Sequence, residues 1–154
     1  MKYLSWVIGM LFGGVISLIA AWLIMYLGQM LAGGITSFWG EPWLYYSIVF
    51  PSAVTFSILA GYLYNKSEAA NKKLWLISLC CAFIVSWYSG TIGAIFAEFL
   101  IRGTLEPING ASPNIEGILI WGTIYAFLFL PITTAVFRFL IDLLRRLLQR
   151  VQSL

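Results

Sequence analysis

The residues best able to do chemistry are gathered between positions 86 and 102. Ser86, Gly90 and Ala94 recur every four residues, and Ser89, Gly93 and Ala97 form a second row beside them. On a helix that spacing gives two adjacent stripes of small side chains. Lipid tails are as apolar as leucine, so helices associate in a bilayer where small side chains let backbones approach closely. The stripes therefore mark a candidate face for packing against neighbouring helices or a partner, including a dimer seam. Trp87 and Tyr88 fall between the two serines, and an indole N–H or phenol O–H away from water needs a partner inside the protein. Glu98 and Arg102 stand at i and i+4 with the acid first, the favourable order for a helical ion pair. Trp87, Tyr88, Glu98 and Arg102 make up a candidate polar site. An acid inside hydrocarbon would suit proton relay, cation binding or a ligand pocket. Counted from Trp75, however, Glu98 lies ~35 Å along a helix, which puts it at a membrane boundary.

The rest of the chain offers little for catalysis. There is no histidine, so a Ser/His pair is impossible. The only cysteines are adjacent, Cys80 and Cys81, and neighbours on a helix point about 100° apart, which disfavours a strain-free disulfide. Neither a CxxC pair nor a cluster of His, Cys and carboxylate occurs, so no metal site and no cofactor is expected. No phosphate-cradling loop occurs, and the basic residues do not compose a nucleic-acid fold. The expectation is a protein that is not an enzyme and binds no nucleic acid.

The elements that must carry these residues are those of a membrane protein. The chain has 154 residues, 61% of them hydrophobic and 10% charged, with a mean hydropathy of +0.91. A soluble domain carries about a quarter charged residues, so this exterior faces lipid. Aromatic residues make up 17%, in line with Trp and Tyr belts at lipid–water boundaries.

Four spans of about the required ~20 residues follow: 4–31, 43–64, 74–97 and 117–137. The first is too long for a signal peptide and ends at Gly33–Gly34. A polar segment with Lys66, Lys72 and Lys73 joins the second and third. Between the third and fourth, Pro107, Asn109–Gly110 and Ser112–Pro113 are turn signals. Pro51 and Pro131 fall inside spans, where each removes a backbone donor and is expected to kink its helix. A faint echo of Val49–Phe56 in Phe129–Val136 raises a parallel repeat of two hairpins.

With the N-terminus inside, eight of the nine Lys and Arg residues are cytoplasmic and only Arg102 is outside. Glu41, Glu98, Glu106 and Glu116 then all fall outside or at the outer boundary. The positive-inside rule thus places both termini in the cytoplasm. Tyr3, Trp6, Tyr62, Tyr64 and Trp75 mark the inner boundary, and Trp39, Trp43, Tyr45 and Tyr46 the outer one. An Asn65-Lys66-Ser67 glycosylation match falls on the wrong side to be used.

After Arg138 the pattern changes. Leu140, Leu143, Leu144, Leu147, Leu148, Val151 and Leu154 recur at helical spacing opposite Asp142, Arg145, Arg146, Gln149, Arg150 and Gln152. This reads as a basic amphipathic helix at the cytoplasmic surface, residues 138–154. Arg145, Arg146 and Arg150 are placed to meet anionic lipid headgroups, and the apolar side also suits a partner helix.

The sequence therefore predicts an all-α integral membrane protein: a four-helix transmembrane domain over 1–137 with a C-terminal amphipathic helix. The setting is a multi-pass protein of a bacterial inner or plasma membrane. Its partners are the lipid bilayer and other membrane subunits or further copies of itself. A non-catalytic accessory or scaffold subunit fits best. A small oligomeric transporter or channel is the alternative, and a membrane-embedded immunity or regulatory protein the third reading.

Overall fold

After Lys2 the segment Lys2–Leu31 contains neither charge nor proline, and it forms one unbroken helix, α1. A computed structural model describes residues 2–34, 37–39, 42–65, 70–102 and 114–152, with no strand among them. The turn signals at Pro107, Asn109–Gly110 and Ser112–Pro113 lie outside the described residues. So do Glu41, Lys66, Ser67, Glu106, Leu154 and the side chains of Lys2, Asn65 and Arg102. Five more helices follow α1: α2 (Trp43–Asn65), α3 (Asn71–Gly90), α4 (Ile92–Arg102), α5 (Ile115–Leu128) and α6 (Leu130–Gln152).

Gly33 and Gly34 end α1 as expected, with φ of 108° and 148°, values that other residues rarely adopt. The Gly34 N–H donates to the Gln29 carbonyl at 3.1 Å. The Gln29 amide then grips Ser37 from both sides, donating to its carbonyl at 3.0 Å and accepting from its N–H at 2.9 Å.

The α1–α2 hairpin is closed by small residues. A Cβ on Gly13 would come within 2.6 Å of the Ser52 carbonyl oxygen, and one on Gly9 would overlap Phe56 and Ala60. Gly61 in turn lies under the Trp6 indole, and the Ser57 hydroxyl donates to the Trp6 carbonyl at 3.0 Å. Gly9 and Gly13 thus admit the α2 backbone, and Ser57 and Gly61 seat Trp6.

By length and apolar composition, three stretches can each cross a membrane: Tyr3–Leu31, Trp43–Tyr64 and Asn71–Ile101. The last combines α3 and α4, which are separated only at Thr91. The fourth candidate is bent. At 14 residues, α5 reaches ~21 Å and is too short to cross a ~30 Å hydrocarbon layer alone. It joins α6 at Phe129 through a 66° bend. The molecule thus carries three helices able to cross a bilayer, or four with the bent pair taken as one span, the hallmark of a multi-pass membrane protein. The bend falls two residues before Pro131. Pro51, by contrast, lies within an uninterrupted α2.

The C-terminal amphipathic segment belongs to a longer helix. It is the later part of α6, which starts at Leu130 and runs through 137–138 without a break. Thr134, Phe137, Ile141, Leu144 and Leu148 are its buried residues. Phe137, Ile141, Leu144 and Leu148 pack against Phe56, Leu59 and Leu63 of α2 and Leu74, Ala82 and Val85 of α3 to form the apolar core. Phe137 stacks on Phe56, ring centroids 5.6 Å apart and 11° from parallel. Further on, Leu148 and Val151 reach Leu4, Ser5 and Tyr64. Helix α6 therefore ties α1, α2 and α3 together.

Candidate functional site

The two small-residue stripes do different work. Gly93 and Ala97 face α2: a Cβ on Gly93 would meet the Ser47 carbonyl oxygen at 2.7 Å, and Ala97 is fully buried. Gly90 faces α5, where it crosses Gly122 with the backbones in contact. A Cβ on Gly90 would lie 3.2 Å from the Gly122 Cα, and one on Gly122 would overlap the Gly90 carbonyl oxygen. Between these opposed contacts the helix breaks at Thr91, whose φ and ψ of −117° and −91° are not helical. Its hydroxyl donates back to the Trp87 carbonyl at 2.6 Å.

Away from the Gly90–Gly122 crossing, α3–α4 and α5 diverge and leave a cleft of about 960 Å³. Ser86, Ser89, Gly90 and Ala94 form one wall. The facing wall is an aromatic ladder on α5. Trp121 stacks on Tyr125 at 5.8 Å and 29°, and Tyr125 lies 6.3 Å from Phe129 at 32°. Ile24 of α1 and Trp43 of α2 border the cleft, Glu98 lines it, and Ile132 and Thr133 close it beside the α5–α6 bend. The side chains around it are overwhelmingly apolar, with a few convergent polar groups, the usual make-up of a ligand pocket.

Several hydroxyls along the helices bond within their own helix. Ser17, Ser47, Ser78, Thr91, Thr123 and Thr133 each donate to a carbonyl three or four residues back, at 2.6–3.0 Å. Ser89 does not. It is 8% exposed, and its Oγ is buried without a hydrogen-bond partner. Thr134 shares this condition but does not line the cleft.

The four residues of the candidate polar site are not brought together as one cluster. The Trp87 indole leaves the cleft side and donates to the Thr123 hydroxyl at 3.2 Å. Tyr88 approaches Phe50 of α2, centroids 6.1 Å apart. Glu98 lines the cleft, and the Arg102 side chain is outside the described residues. Among the described residues no group of three or more His, Cys, Asp or Glu side chains could hold a metal ion. Cys80 and Cys81 are free thiols.

The basic face divides as well. Arg146 and Arg150 are exposed, whereas Arg145 is half-buried beside the core. The most connected arginine is one the sequence did not single out. Arg138 donates to the Asn71 side-chain oxygen at 2.9 Å, pairs with Asp142 on its own helix, and lies 6.0 Å from the Trp75 ring centroid. It thereby fastens α6 to the start of α3. The aromatic ladder and Gly122 also went unremarked, although the i, i+4, i+8 spacing of Trp121, Tyr125 and Phe129 was a visible signal.

Compared with protein-family models, curated proteins and solved structures, the chain finds no match. Its functional reading therefore rests on the geometry alone.

Proposed function

We propose that this protein is a non-catalytic accessory or scaffold subunit that packs against other proteins in a cell membrane. In this reading it is a four-span bundle with both termini in the cytoplasm, and α6 is a basic amphipathic strap at the cytoplasmic surface. The observation that carries the reading is the way α5 is held. Of its fourteen residues only Gly122 and Ala126 are buried, so one stripe attaches it to α3. Ile120 and Ile124 on the far side are 50% and 46% exposed. A bent, lightly packed helix that presents an apolar ridge is the element a neighbouring transmembrane helix would cover. The test is a photo-crosslinking residue at Ile124 in native membranes, followed by purification in mild detergent. A protein adduct of discrete mass and a stoichiometric partner are expected; lipid adducts alone on a monodisperse monomer would overturn the reading.

The alternative of a small transporter draws support from the 66° bend beside Thr133, because broken helices can line substrate paths. Reconstituted vesicles that pass ions or solute, with flux lost on Glu98→Gln or Ser86→Leu, would favour it over the subunit reading.

A further inference from the structure

We infer that the outward side of α6 is a binding site for an anionic phospholipid, with an acyl chain along Phe139 and Leu143 and the phosphate at Arg146. The inference deepens the reading of α6 as a strap at a membrane surface and rests on that reading, not on the presence of a partner subunit.

Three observations carry it. The first is which side of α6 is free. Phe137, Ile141, Leu144 and Leu148 pack into the core against α2 and α3. The side that an isolated amphipathic helix would sink into lipid is therefore already covered. What α6 offers outward is a different row: Ile132, Val136, Phe139, Leu143, Arg146 and Arg150. Successive members stand three or four positions apart, so they line up along one side of the helix. All six are exposed, the four apolar ones by 40–67%.

The second is the order within the row. The apolar side chains come first and the arginines last, with no mixing. Ile132 to Leu143 covers eleven positions, ~16 Å of helix. One leaflet contributes about half of the ~30 Å hydrocarbon layer. The row thus turns from apolar to cationic over the length of one acyl chain, as a phospholipid turns from hydrocarbon to headgroup. A soluble polyanion would leave the apolar stretch unused.

The third is charge. Asp142 is the only acid on α6, and it pairs with Arg138. Arg146 has no ion pair among the described residues. Arg145, on the flank next to the buried stripe, is half-buried with its Nε unmatched. Lys72 and Lys73 add exposed charge of the same sign at the start of α3, where Asn71 meets Arg138. This excess selects an anionic headgroup over a zwitterionic one, and the guanidinium fork matches a phosphate in shape.

The test uses the full chain in non-ionic detergent, with dioleoyl phosphatidylglycerol and dioleoyl phosphatidylcholine as probes, read by native mass spectrometry. Phosphatidylglycerol should be retained in clear preference to phosphatidylcholine. Glycerophosphoglycerol, the same headgroup without chains, should fail to displace it. Arg146→Gln removes an exposed charge and should cut the preference about fivefold, whereas Arg146→Lys should keep most of it. Equal retention of the two lipids, displacement by the chainless headgroup, or a preference untouched by Arg146→Gln would overturn the site. A photo-crosslinker at Leu143 in native membranes should give a phospholipid adduct. A protein adduct would assign the row to a partner and overturn the lipid site. No adduct of either kind would overturn the placement of α6 at a membrane, whereas phospholipid adducts without the preference would sink the site and leave that placement standing.

Discussion

Gly122 approaches Gly90 so closely that the first carbon of any side chain on it would overlap the Gly90 carbonyl oxygen. This crossing is the main attachment of α5 to the bundle and the floor of the cleft. Gly122→Ala is expected to destabilise the fold by about 1–3 kcal/mol, the usual cost of overpacking. Gly14→Ala is the control: nothing lies within 4 Å of a Cβ there, so the change should be neutral or stabilising by up to about 1 kcal/mol. Unfolding of the purified protein on titration with a denaturing detergent reads both.

Asn71 and Arg138 are sixty-seven positions apart and joined at 2.9 Å. In a double-mutant cycle, Asn71→Ala and Arg138→Ala should show a coupling of about 1 kcal/mol, the scale of a hydrogen bond to a charged group. Additive effects would mean that the contact contributes nothing. Arg138→Lys should recover only part of the loss, since lysine cannot reproduce both the Asn71 and Asp142 contacts and the stacking near Trp75.

Phe137 stacks on Phe56 in the centre of the core. Phe137→Ala is expected to cost about 3–5 kcal/mol, as large-to-small core changes do. Phe139, two positions on, is 67% exposed, and Phe139→Ala should change stability by less than about 1 kcal/mol. Equal losses at the two positions would contradict the assignment of the α6 core face.

Orientation is open to direct measurement. Reporter domains fused after Asn71 and after Asn109 are expected to report cytoplasm and exterior respectively, following the distribution of lysine and arginine. The reverse pattern would invert the whole molecule.

Much of the architecture was legible from hydropathy, because the bilayer imposes length and composition on each span. The stretch read as 4–31 is α1 at Lys2–Leu31, and 43–64 is α2 at Trp43–Asn65. The third span was found, but not its break at Thr91, which falls between Gly90 against α5 and Gly93 against α2. That is a property of two partners and invisible in one segment. The stretch read as 117–137 is divided at Phe129 between α5 and α6, and α6 carries on past Arg138, which bonds Asn71 and Asp142. The small-residue stripes were visible as a pattern. Which stripe would be covered by α2 and which left open to a cleft depended on where α5 landed. The Ser89 hydroxyl could not be distinguished by type from Ser78 or Ser86; only its missing carbonyl partner sets it apart.

The course of α6 has a mechanical consequence. It touches α1, α2 and α3 at once, whereas α5 buries only Gly122 and Ala126. One strap thus holds three helices together, so loss of its core face would loosen all three, while α5 is the element whose release would disturb the others least.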